Sequence, residues 1–148
     1  MTTTHQIKIM LPKPGAIPIH LPLFGHKVPA GFPSPADDHM EALISLDEEL
    51  IHHKAATFFV RAKGNSMTGA GIHDGDILVV DKSLEPISGD IVIASVDGNI
   101  TVKRFIKDGS IIKLKPENPR HKEIIFHEGQ ELQIWGVVTS STTKHKYI

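Results

Sequence analysis

From Thr57 to the C-terminus, short apolar runs alternate with turn-forming residues. Thr57–Ala62, Ile77–Val80, Ile91–Val96, Ile100–Ile106, Ile111–Leu114, Glu123–Phe126 and Leu132–Thr139 each read as a strand. Asp97-Gly98 separates two of these runs and Asp108-Gly109 separates the next two, the dipeptide that favours tight hairpins. Short strands at this spacing predict a mainly β fold, a sandwich or partly open barrel of antiparallel strands.

The first third of the chain has a different pattern. Seven of the ten prolines lie within residues 1–35. Proline fixes φ and removes a backbone donor, so this stretch is expected to be neither helix nor central strand. Ile17, Ile19, Leu21 and Leu23 alternate with other residues, as in an extended segment with one face against an apolar surface. Ser45-Leu46-Asp47-Glu48 fits a capping box and predicts one short helix ending near His53 or Lys54. The organisation predicted is an extended N-terminal arm over residues 1–40 and a β domain over 41–148.

Composition narrows the function classes. Sixteen Lys and Arg face seventeen Asp and Glu, for a formal net charge of -1. That balance gives no general basic surface, so direct sequence-specific DNA binding is not expected. With no cysteine in the chain, disulfides, thiolate catalysis and Cys-based zinc sites are excluded. No apolar run approaches the roughly 20 residues of a membrane span. The expectation is a soluble, unexported, cytoplasmic protein that needs no cofactor.

Two residues are candidates for chemistry. Ser66, in Gly64-Asn65-Ser66-Met67, follows a strand and precedes the Gly-rich stretch Gly69 to Gly75. Such a turn can expose the hydroxyl and converge backbone amides into an oxyanion hole, for which the amides of Ser66 and Asn65 are the candidates. A loop serine beside glycine is more often only a turn former. Lys103 lies in the strand-like run Ile100 to Ile106, where a lysine ordinarily faces solvent. On the covered side its position changes its chemistry. A free lysine has a pKa of about 10.4, and burial lowers it toward the range of a competent base. A neutral amine can then take the serine proton with no histidine or aspartate.

Other arrangements fit the sequence less well. His73 with Asp74 or Asp76 lies near Ser66 in sequence, but a Ser-His-Asp triad needs its base placed by the fold. Ten histidines are scattered without a His-Glu-x-x-His motif, so no metal site is expected. The Gly64 to Gly75 stretch lacks the Gly-Lys-Ser/Thr ending of a phosphate loop. Asp76, Asp81 and Asp90 are expected to hold turns.

Four motifs in order resemble a known family: Lys63-Gly64-Asn65-Ser66-Met67, Gly75-Asp76-Ile77-Leu78-Val79-Val80-Asp81, Gly89-Asp90-Ile91-Val92-Ile93-Ala94 and Thr101-Val102-Lys103-Arg104. Together they resemble the peptidase core shared by LexA repressors, phage repressors and UmuD proteins, over roughly residues 57–140. The resemblance implies a serine–lysine peptidase with Ser66 as nucleophile and Lys103 as general base. Ala30-Gly31-Phe32-Pro33-Ser34-Pro35-Ala36 resembles the self-cleavage region of the UmuD branch, which implies scission between Ala30 and Gly31. The small Ala30 and Gly31 and the extended geometry set by Pro29 and Pro33 suit strand-like docking beside a sheet edge. A flexible loop is the plainer reading of that pair.

The same resemblance implies an SOS-response role. It implies a homodimer, stimulation of self-cleavage by the RecA filament on single-stranded DNA, and a trimmed product that assists a UmuC-like Y-family polymerase in error-prone translesion synthesis. Two alternatives stand beside it. One is a non-cleaving interaction module of the same fold. The other is a truncated LexA-like regulator, disfavoured because about 40 proline-rich residues leave no room for a helix-turn-helix domain. A signal peptidase shares the chemistry but needs a membrane anchor.

Overall fold

A computed structural model describes residue 15 and residues 17–25, 40–127 and 130–148. The chain forms two compact units, one within Pro12–His52 and one spanning His53–Ile148.

In the first unit, β1 (Leu21–Phe24) pairs antiparallel with β2 (Met40–Ile44), and α1 (Leu46–Leu50) follows. Pro22 is tolerated because β1 has a neighbour on one side only. Ile17, Ile19 and Leu21 are exposed, so the apolar face expected of this segment covers no surface within its own unit. The helix begins where predicted but is shorter, ending at Leu50. Ser45 is its N-cap by position, yet its side chain makes no capping bond and the residue is only 3% exposed. Glu48 does not reach back to close a capping box, and lies 3.4 Å from His20 instead. The Ser45 cap bond is unmade, and the helix closes after about one turn with the Ile51 amide bonded to Asp47 O.

The second unit is one antiparallel sheet of seven strands. They are β3 (Thr57–Arg61), β4 (Ile77–Asp81), β5 (Ile91–Val96), β6 (Asn99–Asp108), β7 (Ile111–Lys115), β8 (Ile124–Phe126) and β9 (Leu132–Thr142). Their spatial order is β3-β4-β9-β5-β6-β7-β8, which among the described residues leaves β3 and β8 as edges rather than closing a barrel. The mainly β, partly open antiparallel fold read from the sequence is therefore what forms.

The strand β5 explains why a continuous apolar run belongs inside such a sheet. Ile91 and Ile93 join a core with Phe58, Met67, Ile72, Leu78 and Val80. Val92 and Ala94 join a second core with Phe105, Leu114, Phe126 and Val137. Side chains alternate between faces, so β5 is covered on both. Its neighbour β9 keeps register through a bulge: Ile93 pairs with Gly136 but Ala94 pairs with Ile134, leaving Trp135 as the extra residue. The insertion changes the parity, so Leu132 and Ile134 before it and Val137 after it pack in the same core.

A tight hairpin, Asp97-Gly98, joins β5 to β6, with Val96 paired to Asn99. Both turn residues have positive φ, 49° and 87°, as the mirror-image turn requires. Lys103 therefore sits midway along a strand whose register is fixed by an adjacent turn. The pairing of β7 with β6 begins only at Arg104, opposite Lys115. Pro116 follows and cannot extend the ladder. The segment Asn99–Lys103 is thus paired to β5 on one side and to no described strand on the other.

Candidate active site

The chain leaves β3 at Arg61 and turns back toward β4 through residues 62–76. Two carboxylates and two backbone bonds fix that excursion. Asp74 Oδ1 accepts from the Gly64 amide at 2.7 Å, and Asp76 Oδ2 accepts from the His73 amide at 2.8 Å. The Ala62 amide donates to Asp76 O, and the Gly75 amide donates to Ala62 O, each at 2.8 Å. The turn roles expected of Asp76, Asp81 and Asp90 are met: Asp81 Oδ1 accepts from Ser83, and Asp90 Oδ2 accepts from Ile87.

Ser66 lies on this excursion and is brought to Lys103, thirty-seven positions away in sequence. Lys103 Nζ is 3.0 Å from Ser66 Oγ, 2.6 Å from Thr101 Oγ1 and 3.0 Å from the Val102 carbonyl oxygen. Lys103 is 9% exposed, so it is not the solvent-facing lysine of an ordinary half-buried strand. No carboxylate is among these partners. Burial without a compensating anion pushes the ammonium below its ordinary value of 10.5. The three contacts suit either protonation state. An ammonium donates to all three, whereas a neutral amine donates to Thr101 and Val102 and offers its lone pair to the Ser66 hydroxyl.

A cleft of about 180 Å³ opens over this pair, lined by Val60, Ala62, Met67, Ile72, Ile100 and Val102 together with Ser66 and Lys103. It runs from the end of β3 to the edge of β6 that pairs with no described strand. Aliphatic side chains line much of it, Arg61, Lys63 and Thr101 add polar groups, and that edge of β6 carries backbone groups that can pair with an extended chain. Such a site can deprotonate a serine hydroxyl next to a docked extended peptide.

A second loop, Glu117–His121, supports the first. The Glu117 amide donates to Ser66 O at 2.9 Å, and the Gly69 amide donates to Glu117 O at 2.7 Å. Asn118 Nδ2 donates to Asn65 O at 2.8 Å, and His121 Nε2 lies 2.7 Å from Asn65 Oδ1. A Cβ on Gly69 would fall 2.5 Å from Glu117 O, so only glycine permits the approach. Sequence reasoning missed Glu117, Asn118 and His121 altogether. Thr101 was within its reach, since residues two apart on a strand share a face.

His73 makes no side-chain hydrogen bond among the described residues, and Asp74 and Asp76 hold backbone amides, so the Ser-His-Asp alternative is not assembled. No cluster of three or more His, Cys, Asp or Glu suited to a metal ion occurs among the described residues. No helix among them is long and apolar enough to cross a membrane. Ala30 and Gly31 lie outside the described residues.

A family model described as Peptidase S24-like matches residues 22–139. The chain belongs to the S24 peptidase family, the serine peptidases of the LexA and UmuD kind. Among its relatives is protein SamA of Salmonella typhimurium, 50% identical over 80% of this chain and 82% of the relative. Protein MucA of Escherichia coli is 38% identical over 88% of this chain and 90% of its own length. The LexA repressor of Verminephrobacter eiseniae is 39% identical over 84% of this chain but only 54% of the repressor. The likeness to LexA/UmuD-type peptidases drawn from four motifs is thereby borne out.

Proposed function

We propose that this chain is a self-cleaving peptidase of the UmuD type, in which Ser66 attacks the carbonyl of Ala30 and Lys103 is the general base. The observation that carries the reading is the 3.0 Å contact between Lys103 Nζ and Ser66 Oγ at the cleft, with Lys103 only 9% exposed. The neutral amine takes the Ser66 proton as Oγ bonds to the Ala30 carbonyl carbon. The amides of Asn65 and Ser66 donate to the resulting oxyanion. The lysine ammonium returns its proton to the Gly31 nitrogen as that bond breaks, leaving Ala30 esterified to Ser66. Water, deprotonated by the same amine, then hydrolyses the ester.

The reaction is a one-time switch that removes residues 1–30. In this reading the chain acts as a homodimer in the cytoplasm. The RecA filament on single-stranded DNA stimulates the cut, and the trimmed chain serves a Y-family polymerase in the SOS response. Purified protein held at mildly alkaline pH, or mixed with RecA, nucleotide and single-stranded DNA, should yield a fragment beginning at Gly31. A chain that stays whole in both conditions supports the interaction-module reading instead.

A further inference from the structure

Lys103 and Arg104 are consecutive on β6 and so leave the strand toward opposite faces. Both nevertheless reach the Asn65–Gly69 loop. Lys103 does so directly, at Ser66 Oγ. Arg104 does so through Glu117: its Nε donates to Glu117 Oε1 at 2.6 Å while its Nη1 donates to the Gly89 carbonyl, also at 2.6 Å. Glu117 in turn brackets the loop with its own backbone, donating to Ser66 O and accepting from Gly69 N.

We infer that the Arg104–Glu117 ion pair is a positioning device that holds the Ser66 loop in register with the strand carrying Lys103. The inference rests on the peptidase reading above. Three features support it. Arg104 is held at two of its guanidinium nitrogens, Nε and Nη1, so it presents Glu117 with a fixed anchor. Pro116 and Pro119 restrict the backbone on either side of Glu117, so a shift of its side chain carries its backbone along. The pair is only partly covered, with side chains 29% and 27% exposed. Such a pair adds little to global stability. The reaction is far more sensitive, because a displacement of about 1 Å between reacting groups can cost roughly 10²-fold in rate. Loss of the pair should therefore appear in the cleavage rate before it appears in folding.

The test compares wild type, Ser66→Ala, Arg104→Ala, Glu117→Ala, Glu117→Gln and the Arg104→Ala/Glu117→Ala double variant, each as the full chain. Self-cleavage is timed at the alkaline plateau, and amide hydrogen exchange is followed at Gly69 and Glu117. Either alanine variant should cut roughly tenfold to a hundredfold slower than wild type. The double variant should be no slower than either single one. Glu117→Gln keeps an acceptor for Arg104 Nε and should recover most of the rate. Exchange at Gly69 and Glu117 should quicken in the alanine variants while the Leu78 and Ile93 amides stay protected. Alanine variants that cut at the wild-type rate, or that exchange uniformly faster across the sheet, would overturn the inference. Should wild type fail to cut, or Ser66→Ala be cut, the peptidase reading fails instead, and local exchange at Gly69 still decides whether the pair positions the loop.

Discussion

The amine of Lys103 lies 3.0 Å from the hydroxyl oxygen of Ser66 in a cleft that no carboxylate lines among the described residues. Burial with neutral partners alone disfavours the charged form of the amine. The same features that make this lysine costly to keep protonated make it a base for the serine beside it.

Substitutions at the pair should separate chemistry from folding. Lys103→Met keeps the volume and the apolar surroundings but has no lone pair on nitrogen, and self-cleavage should fall about 10²–10⁴-fold. Lys103→Arg should be no better, because a guanidinium keeps its proton. Ser66→Ala should stop the reaction. Gel-resolved time courses at mildly alkaline pH measure all three.

Lys103 should also leave a signature in stability. Its folded-state pKa lies below the unfolded value, so between the two the unfolded chain binds more protons. Stability should therefore rise with pH through that window. Below the folded pKa, the cost of burying the ammonium is present in full. In Lys103→Met this contribution is gone, and the variant should be at least as stable as wild type at neutral pH. Urea unfolding at a series of pH values tests both statements.

Asp81 works with the opposite sign. It is 3% exposed, and burial pushes its carboxyl up. Hydrogen bonds from the Ser83 hydroxyl, the His53 ring and the Ser83 amide outweigh that effect and leave it below 3.8. Its contribution is present above the unfolded value and is lost as pH falls through the lower folded value. Asp81→Ala removes these bonds but, because Ser83 and His53 are exposed and can turn to water, should cost about 1–2 kcal/mol of unfolding free energy at neutral pH. It should flatten the acid limb of the stability profile.

Gly69→Ala tests the close approach of the two site loops. The added methyl would sit 2.5 Å from the Glu117 carbonyl oxygen, so the loops must part and the Gly69–Glu117 hydrogen bond is lost. The cost should be about 1–3 kcal/mol. Self-cleavage should fall more than that loss of stability explains.

How far the sequence revealed all this varies by element. Ile91–Val96 was legible to the residue because hairpin chemistry bounds it on one side and Ser88-Gly89-Asp90 on the other. The end of β9 was not. Ser140, Ser141 and Thr142 continue the ladder opposite Val79, Leu78 and Ile77, and polar residues carry no periodic signal. The helix was overextended because a capping box is a pattern of residue types, and here a buried Ser45 leaves it unused. Ser66 and Lys103 were found through motifs, and the fold brings them together. Glu117, Asn118 and His121 were hidden because they act on Ser66 and Asn65 across some fifty positions, largely through backbone groups. His121 in particular read as one more surface histidine.

The most direct measurement is the titration of Lys103 itself. Full-length Ser66→Ala, which stays uncut, can be labelled at the lysine Cε and followed by NMR across alkaline pH, with Lys103→Met assigning the resonance. One lysine signal should titrate clearly below the others and vanish in the Lys103→Met spectrum. A Lys103 signal that titrates with the rest near its ordinary 10.5 would contradict the account.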